Sequence, residues 1–163
     1  MGWLFTRDAS KSDIINDLVT PEENDTRRWE TLAHCVRGNV LWAVVEITYK
    51  KDKPRKRFIA CYLLSCEKGY GWGYKSMDES MFPYYFSCPL KYLDMVQVAN
   101  ADWRAEVRKY HQRRNRKVEI GQKIGLVNAS IPWVVITSKR PLLGTYGGMC
   151  YRVPRRMLGE VLV

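Results

Sequence analysis

Residues 69–75 read Gly-Tyr-Gly-Trp-Gly-Tyr-Lys. Side chains alternate between the two faces of a β-strand. An extended chain here therefore sets Tyr70, Trp72 and Tyr74 on one face and leaves Gly69, Gly71 and Gly73 as a bare second face. A glycine face lets another backbone, or a ligand, come close. Seven of the 20 aromatic residues fall between Tyr70 and Phe86, which makes this strand the expected centre of the architecture. The ladder has two readings: a packed core, or a platform on which unpaired bases stack.

The pattern on either side predicts a β-meander. Residues 29–37 and 40–50 form two strands joined tightly at Gly38-Asn39, and 57–66 form a third after a lysine-rich turn with Pro54. All are rich in β-branched or aromatic residues and end in turn chemistry. Residues 3–5 suggest a short opening strand. Ser10 and Asp13 have capping-box spacing and predict a helix over 11–19, carrying Ile14, Ile15 and Leu18 inward. Thr20-Pro-Glu-Glu has the form of a second helix start. Residues 83–88 read as extended, and Pro89 opens a short helix to 95. Residues 101–114 give the clearest helix, with Trp103, Val107 and Tyr110 on one stripe.

After Lys117 the pattern turns to short strands over 123–127, 133–138 and 149–153. Turns are expected at 128–132, around 141–144 and at Gly147-Gly148. The fold class is α+β: an antiparallel meander sheet with a few helices, followed by a small SH3-like β-barrel module. The divisions are 1–100, a basic linking helix over 101–117, and 118–163.

The chain has 163 residues and is 46% hydrophobic, enough to build a core and unlike a disordered segment. No apolar run is long enough to span a membrane. Neither a secretory leader nor lipidation is expected: Met1-Gly2 with Thr6 fits a myristoylation pattern, but bulky Trp3 and Leu4 read as strand. Five cysteines without framework spacing point to free thiols in a reducing cytoplasm. There is no C-x-x-C, and neither Cys61 with Cys66 nor His34 with Cys35 faces one way on a strand, so no metal and no cofactor is expected.

Charge narrows the partners. The formal net charge is +10, with −3 over residues 1–49 and +13 over 50–163. Such an excess attracts polyanions. It is densest along the helix and just past its end: Arg104, Arg108, Lys109, Arg113, Arg114, Arg116 and Lys117. A second cluster holds Lys51, Lys53, Arg55 and Lys56, and a third Arg155 and Arg156. Arginine pairs phosphate oxygens bidentately, so these residues are the candidate contacts to DNA or RNA. Arg104 and Arg108 are expected one turn apart, facing away from the Trp103 stripe. The bland alternative is a solvated face.

Tyr70, Trp72 and Tyr74 are the candidate stacking surface, and Lys75, Asp78, Glu79, Tyr84, Tyr85 and Cys88 the candidate pocket around it. A lysine beside two carboxylates suits acid–base work and Cys88 suits a nucleophile, but no triad partner is placed for either. Capping and ion pairing by Asp78 and Glu79 is the simpler reading.

Residues 73–80, Gly-Tyr-Lys-Ser-Met-Asp-Glu-Ser, are followed by Pro83-Tyr-Tyr and Cys88-Pro89. This resembles the Gly-Tyr-Lys-x-Met-Asp-Glu-Ser … Pro-x-x-x-x-Cys-Pro motif of an uncharacterised family of small proteins from bacterial phages, plasmids and prophages. The likeness runs from the turn at Arg37-Gly-Asn39 to the helix around Trp103, and more loosely into the C-terminal part, where such proteins look SH3-like. It implies a cytoplasmic protein of a mobile genetic element and brings no activity with it. Taken together, the expectation is a non-enzymatic nucleic-acid-binding accessory protein. The alternatives are a protein–protein module, such as an inhibitor that meets an acidic host protein or defence complex, and an enzyme built on Lys75, Asp78, Glu79 and Cys88.

Overall fold

The structure is a computed structural model that describes residues 2–51, 53–77, 85–96 and 101–163. The chain divides into two compact units, Met1–Ala105 and Glu106–Val163. The class is α+β, and both sheets are antiparallel.

In the first unit, β3 (Arg27–Arg37), β4 (Val40–Tyr49), β5 (Lys56–Glu67) and β6 (Gly71–Met77) form the expected meander. Gly38 makes the tight turn between β3 and β4 at φ 62°, a conformation glycine adopts without a Cβ clash. β1 (Leu4–Phe5) pairs with β6 and β2 (Glu22–Glu23) with β3, giving the order β1-β6-β5-β4-β3-β2. Leu41 through Ile47 are all buried, because the central strand β4 is covered on both faces.

One face carries α1 (Lys11–Val19). Ser10 caps it by accepting from the Asp13 N–H, and Asp13 accepts from the Ser10 N–H in return. Ile14 of α1 then packs on Leu41 and Leu64, with Trp72 and Tyr74 beside them. The other face carries α2 (Leu90–Met95) and the first turn of α3 (Ala101–Asn115). There Trp42 and Trp103 lie 6.0 Å apart between ring centroids. Their indoles donate to Ser87 Oγ and to the Tyr85 carbonyl, both at 3.1 Å.

The second unit is a five-stranded sheet, β7 (Lys123–Leu126), β8 (Trp133–Lys139), β9 (Leu142–Tyr146), β10 (Met149–Arg152) and β11 (Leu158–Val161), in the order β10-β9-β8-β7-β11. A 3-10 turn at Arg155–Met157 leads into β11. Its core is Val118, Ile124, Val134, Ile136, Leu142, Val153 and Leu158.

Three sequence expectations are corrected. Thr20-Pro-Glu-Glu starts no helix: Glu22 and Glu23 pair with Trp29 and Arg28 as an edge strand, since no apolar stripe comes after them to dock a second helix. The stretch around 141–144 is not a turn alone, because β9 begins at Leu142 and buries Leu142 and Gly144. The last expected strand stops at 153, yet the chain turns past Pro154 and returns as a further strand, β11, beside β7. Among the described residues no helix is long and apolar enough to cross a membrane.

Candidate nucleic-acid interface

The charge divides sharply between the two units. Residues 1–105 hold 15 Lys/Arg against 14 Asp/Glu, a net +1, whereas residues 106–163 hold 12 against three, a net +9. Within the second unit Lys109 pairs with Glu106 at 2.8 Å and Lys139 pairs with Glu119. The other ten basic residues have no acidic partner among the described residues.

The fold brings two of the sequence clusters together. Arg113, near the end of α3, donates through Nε to the Arg156 carbonyl at 3.1 Å. Arg155 donates to the Arg116 carbonyl at 2.9 Å, and Arg116 donates to the Gly159 carbonyl. Residues 39 to 43 apart in sequence thus form one basic corner. The acceptors are neutral carbonyls, so they fix the guanidiniums without cancelling their charge. Lys117 is exposed beside this corner in sequence, and Arg108 is exposed on α3. Arg114 lies over the Tyr110 ring at 5.7 Å, which leaves its charge in place while orienting the fork.

Arg104 is different. It is half-buried and donates to the Leu93 carbonyl at 2.6 Å and the Val96 carbonyl at 3.2 Å. It closes the C-terminal end of α2, where free carbonyls favour a cation. The expectation that it faces away from the Trp103 stripe beside Arg108 is therefore corrected.

The cluster at 51–57 belongs to the first unit and is compensated in part, two of its arginines sharing one carboxylate. Arg57 and Arg55 pair with the buried Glu46 at 2.6 and 3.5 Å, and Lys50 pairs with Glu23 at 2.8 Å. Lys53 lies 5.6 Å from the Tyr49 ring centre. Lys51 and Lys56 are exposed.

The aromatic ladder mostly faces inward. Trp72 and Tyr74 pack with α1, Lys11 sits 5.2 Å over the Trp72 ring, and Tyr74 meets Tyr62 edge-on at 5.8 Å. Tyr70 stays 45% exposed at the turn before β6. The bare glycine face is filled by backbone: a Cβ on Gly71 would lie 2.2 Å from the Thr6 carbonyl oxygen, and one on Gly73 2.3 Å from that of Leu4. Lys75 is half-buried on β6, and Tyr85 is half-buried, its carbonyl taken by Trp103. Asp78, Glu79 and Tyr84 lie outside the described residues. Cys88 is fully buried, and burial pushes its thiol up, with Cys35 and Cys61 adding to the shift. A nucleophilic cysteine needs the opposite, an exposed site that favours thiolate.

One basic–aromatic pair escaped the sequence reading. Lys123 of β7 sits 4.3 Å over the Trp133 ring of β8, and Trp133 meets Tyr146 edge-on at 4.8 Å. Gly125 pairs with Trp133, which places Lys123 diagonally across from it on the same face. Pairing the two predicted strands about the turn at 128–132 would have found it.

Compared with protein-family models, with curated proteins and with solved structures, the chain matches none.

Proposed function

We propose that this chain is a non-enzymatic nucleic-acid-binding protein whose contact lies in residues 106–163. The observation that carries this is the corner where the Arg113, Arg116 and Arg155 side chains donate to the backbone carbonyls of Arg156, Gly159 and Arg116, with no carboxylate among their partners in the described residues. Three guanidiniums fixed without a carboxylate, with the Arg156 side chain beside them in sequence, are suited to meet phosphate oxygens. Arg108, Arg114 and Lys117 extend the surface along α3 and beyond its end. Lys51, Lys53, Arg55 and Lys56 play at most a secondary part, since their unit is close to neutral.

The second unit is read as an SH3-like module. Five short strands in the order β10-β9-β8-β7-β11, with a 3-10 turn before a last strand that returns beside the first, support this reading. The motif at 73–89 supports placing the chain among cytoplasmic proteins of mobile genetic elements.

Fluorescence anisotropy with duplex and single-stranded DNA and RNA at two salt concentrations tests the function. The logarithm of affinity should fall with that of salt at a slope near −0.9 per phosphate for duplex and about −0.7 for single strands. Arg156→Ala with Lys117→Ala should lower the slope by about one for each phosphate left unpaired. Lys51→Ala with Lys53→Ala should change it little. Flat salt dependence, or a 117/156 variant that matches wild type, overturns the proposal.

A further inference from the structure

The first unit holds a groove whose chemistry is the reverse of the basic corner. α1 has nine residues, a rise of about 13 Å, and seals its sheet face only around Leu41 and Leu64. Farther along that face, Val45, Phe58 and Tyr62 floor a groove of about 590 Å³ between α1, β1 and the β2–β3 pair. That volume suits a small ligand.

Its lining is aromatic and acidic. Phe58, Tyr62 and Tyr74 present rings, Trp29 a ring that Arg27 already covers at 4.6 Å, and Asp17 and Glu22 present carboxylates from α1 and β2. None of the described lining residues is basic, in a chain of formal charge +10. Among the described residues Asp17 and Glu22 have no ion-pair partner, whereas Glu30, opposite Glu46 in the strand register, lies on the other sheet face beside Arg28 at 3.7 Å. Burial first, then Tyr74 and the field of Glu22, push the Tyr62 hydroxyl up, which places Glu22 near the groove floor.

We propose that this groove binds a small aliphatic di- or polyamine, its ammonium groups held by Asp17 and Glu22 and its methylenes laid on the aromatic floor. Two carboxylates on two separate elements suit more than one ammonium. Ring faces attract a cation electrostatically, and Val45 and Phe58 take the hydrocarbon between charges. An anion or a neutral apolar ligand would leave the carboxylates unanswered. This site lies outside the proposed nucleic-acid contact, so either assignment can fail without the other.

Isothermal titration of the full chain with spermidine at low salt, with nucleic acid absent, tests it. Saturable one-to-one binding is expected, with butylamine weaker by about tenfold or more and butan-1-ol showing none. Asp17→Asn with Glu22→Gln, both at exposed positions, should weaken spermidine by about tenfold or more while the melting temperature holds. Tyr62→Phe should bind almost as wild type, because ring and floor remain. Unchanged affinity in the acidic-site variant, equal binding of butan-1-ol, or non-saturating uptake overturns the assignment. So does a lysine-rich peptide that binds more tightly than spermidine, since the occupant would then be a protein segment.

Discussion

Arg104 shows how a residue's chemistry and its role can part. Its charge is plain in the sequence, but its direction is set by two carbonyls at the end of α2. Arg104→Ala should lower the stability of the first unit by about 1.5–3 kcal/mol, the range for hydrogen bonds to charged groups, read from urea midpoints. Nucleic-acid affinity should stay near wild type in the same variant. The buried thiols give a second expectation. Burial pushes Cys61 up from 9.0 to about 12. A raised value favours the folded, neutral form fully below pH 9, and that advantage is lost as pH climbs through the folded value. Between pH 9 and 12 the unfolded state releases a proton that the folded state keeps, so stability should fall by about 1.4 kcal/mol per pH unit for this group. Thermal melts across that window should show a shallower decline in Cys61→Ala.

At the scale of elements, the glycines of β6 are the tightest constraint. A Cβ on Gly73 would meet the Leu4 carbonyl oxygen at 2.3 Å and the Phe5 Cα at 2.7 Å, both backbone atoms that move only if β1 leaves the sheet. Gly73→Ala should cost about 1–3 kcal/mol in a denaturant titration, the scale of overpacking. Ser10→Ala, by contrast, removes only the cap of α1 and should cost about 1 kcal/mol. The meander, the capping box, the Gly38 turn and the close approach at Gly71 and Gly73 were all legible, because each rests on local spacing. β2 was not, because its two residues become a strand only through Trp29 and Arg28 of β3. β9 and β11 were hidden for different reasons: β9 closes a tight hairpin on β8 across the turn at Pro141, and β11 becomes a strand only through β7, distant in sequence. The candidate site was legible in its residue types alone. That Arg113 and Arg116 meet residues 155–159 depends on tertiary contacts that no spacing encodes.

The whole molecule is electrically lopsided, one unit near neutral and the other at +9. The same crowding that would draw the proposed polyphosphate also pushes the folded second unit apart, since like charges favour expansion. Added salt should therefore act in two directions at once. It should weaken nucleic-acid binding, yet raise the temperature at which the Glu106–Val163 unit melts by damping repulsion among its cations. A polyanion at concentrations well above its dissociation constant should raise that melting temperature further, by linkage. Scanning calorimetry of the full chain across a salt series would resolve both trends. What waits at that corner of arginines is a latent tension, and under the proposed function a strand of phosphates would relieve it, acting as a splint for the domain it meets.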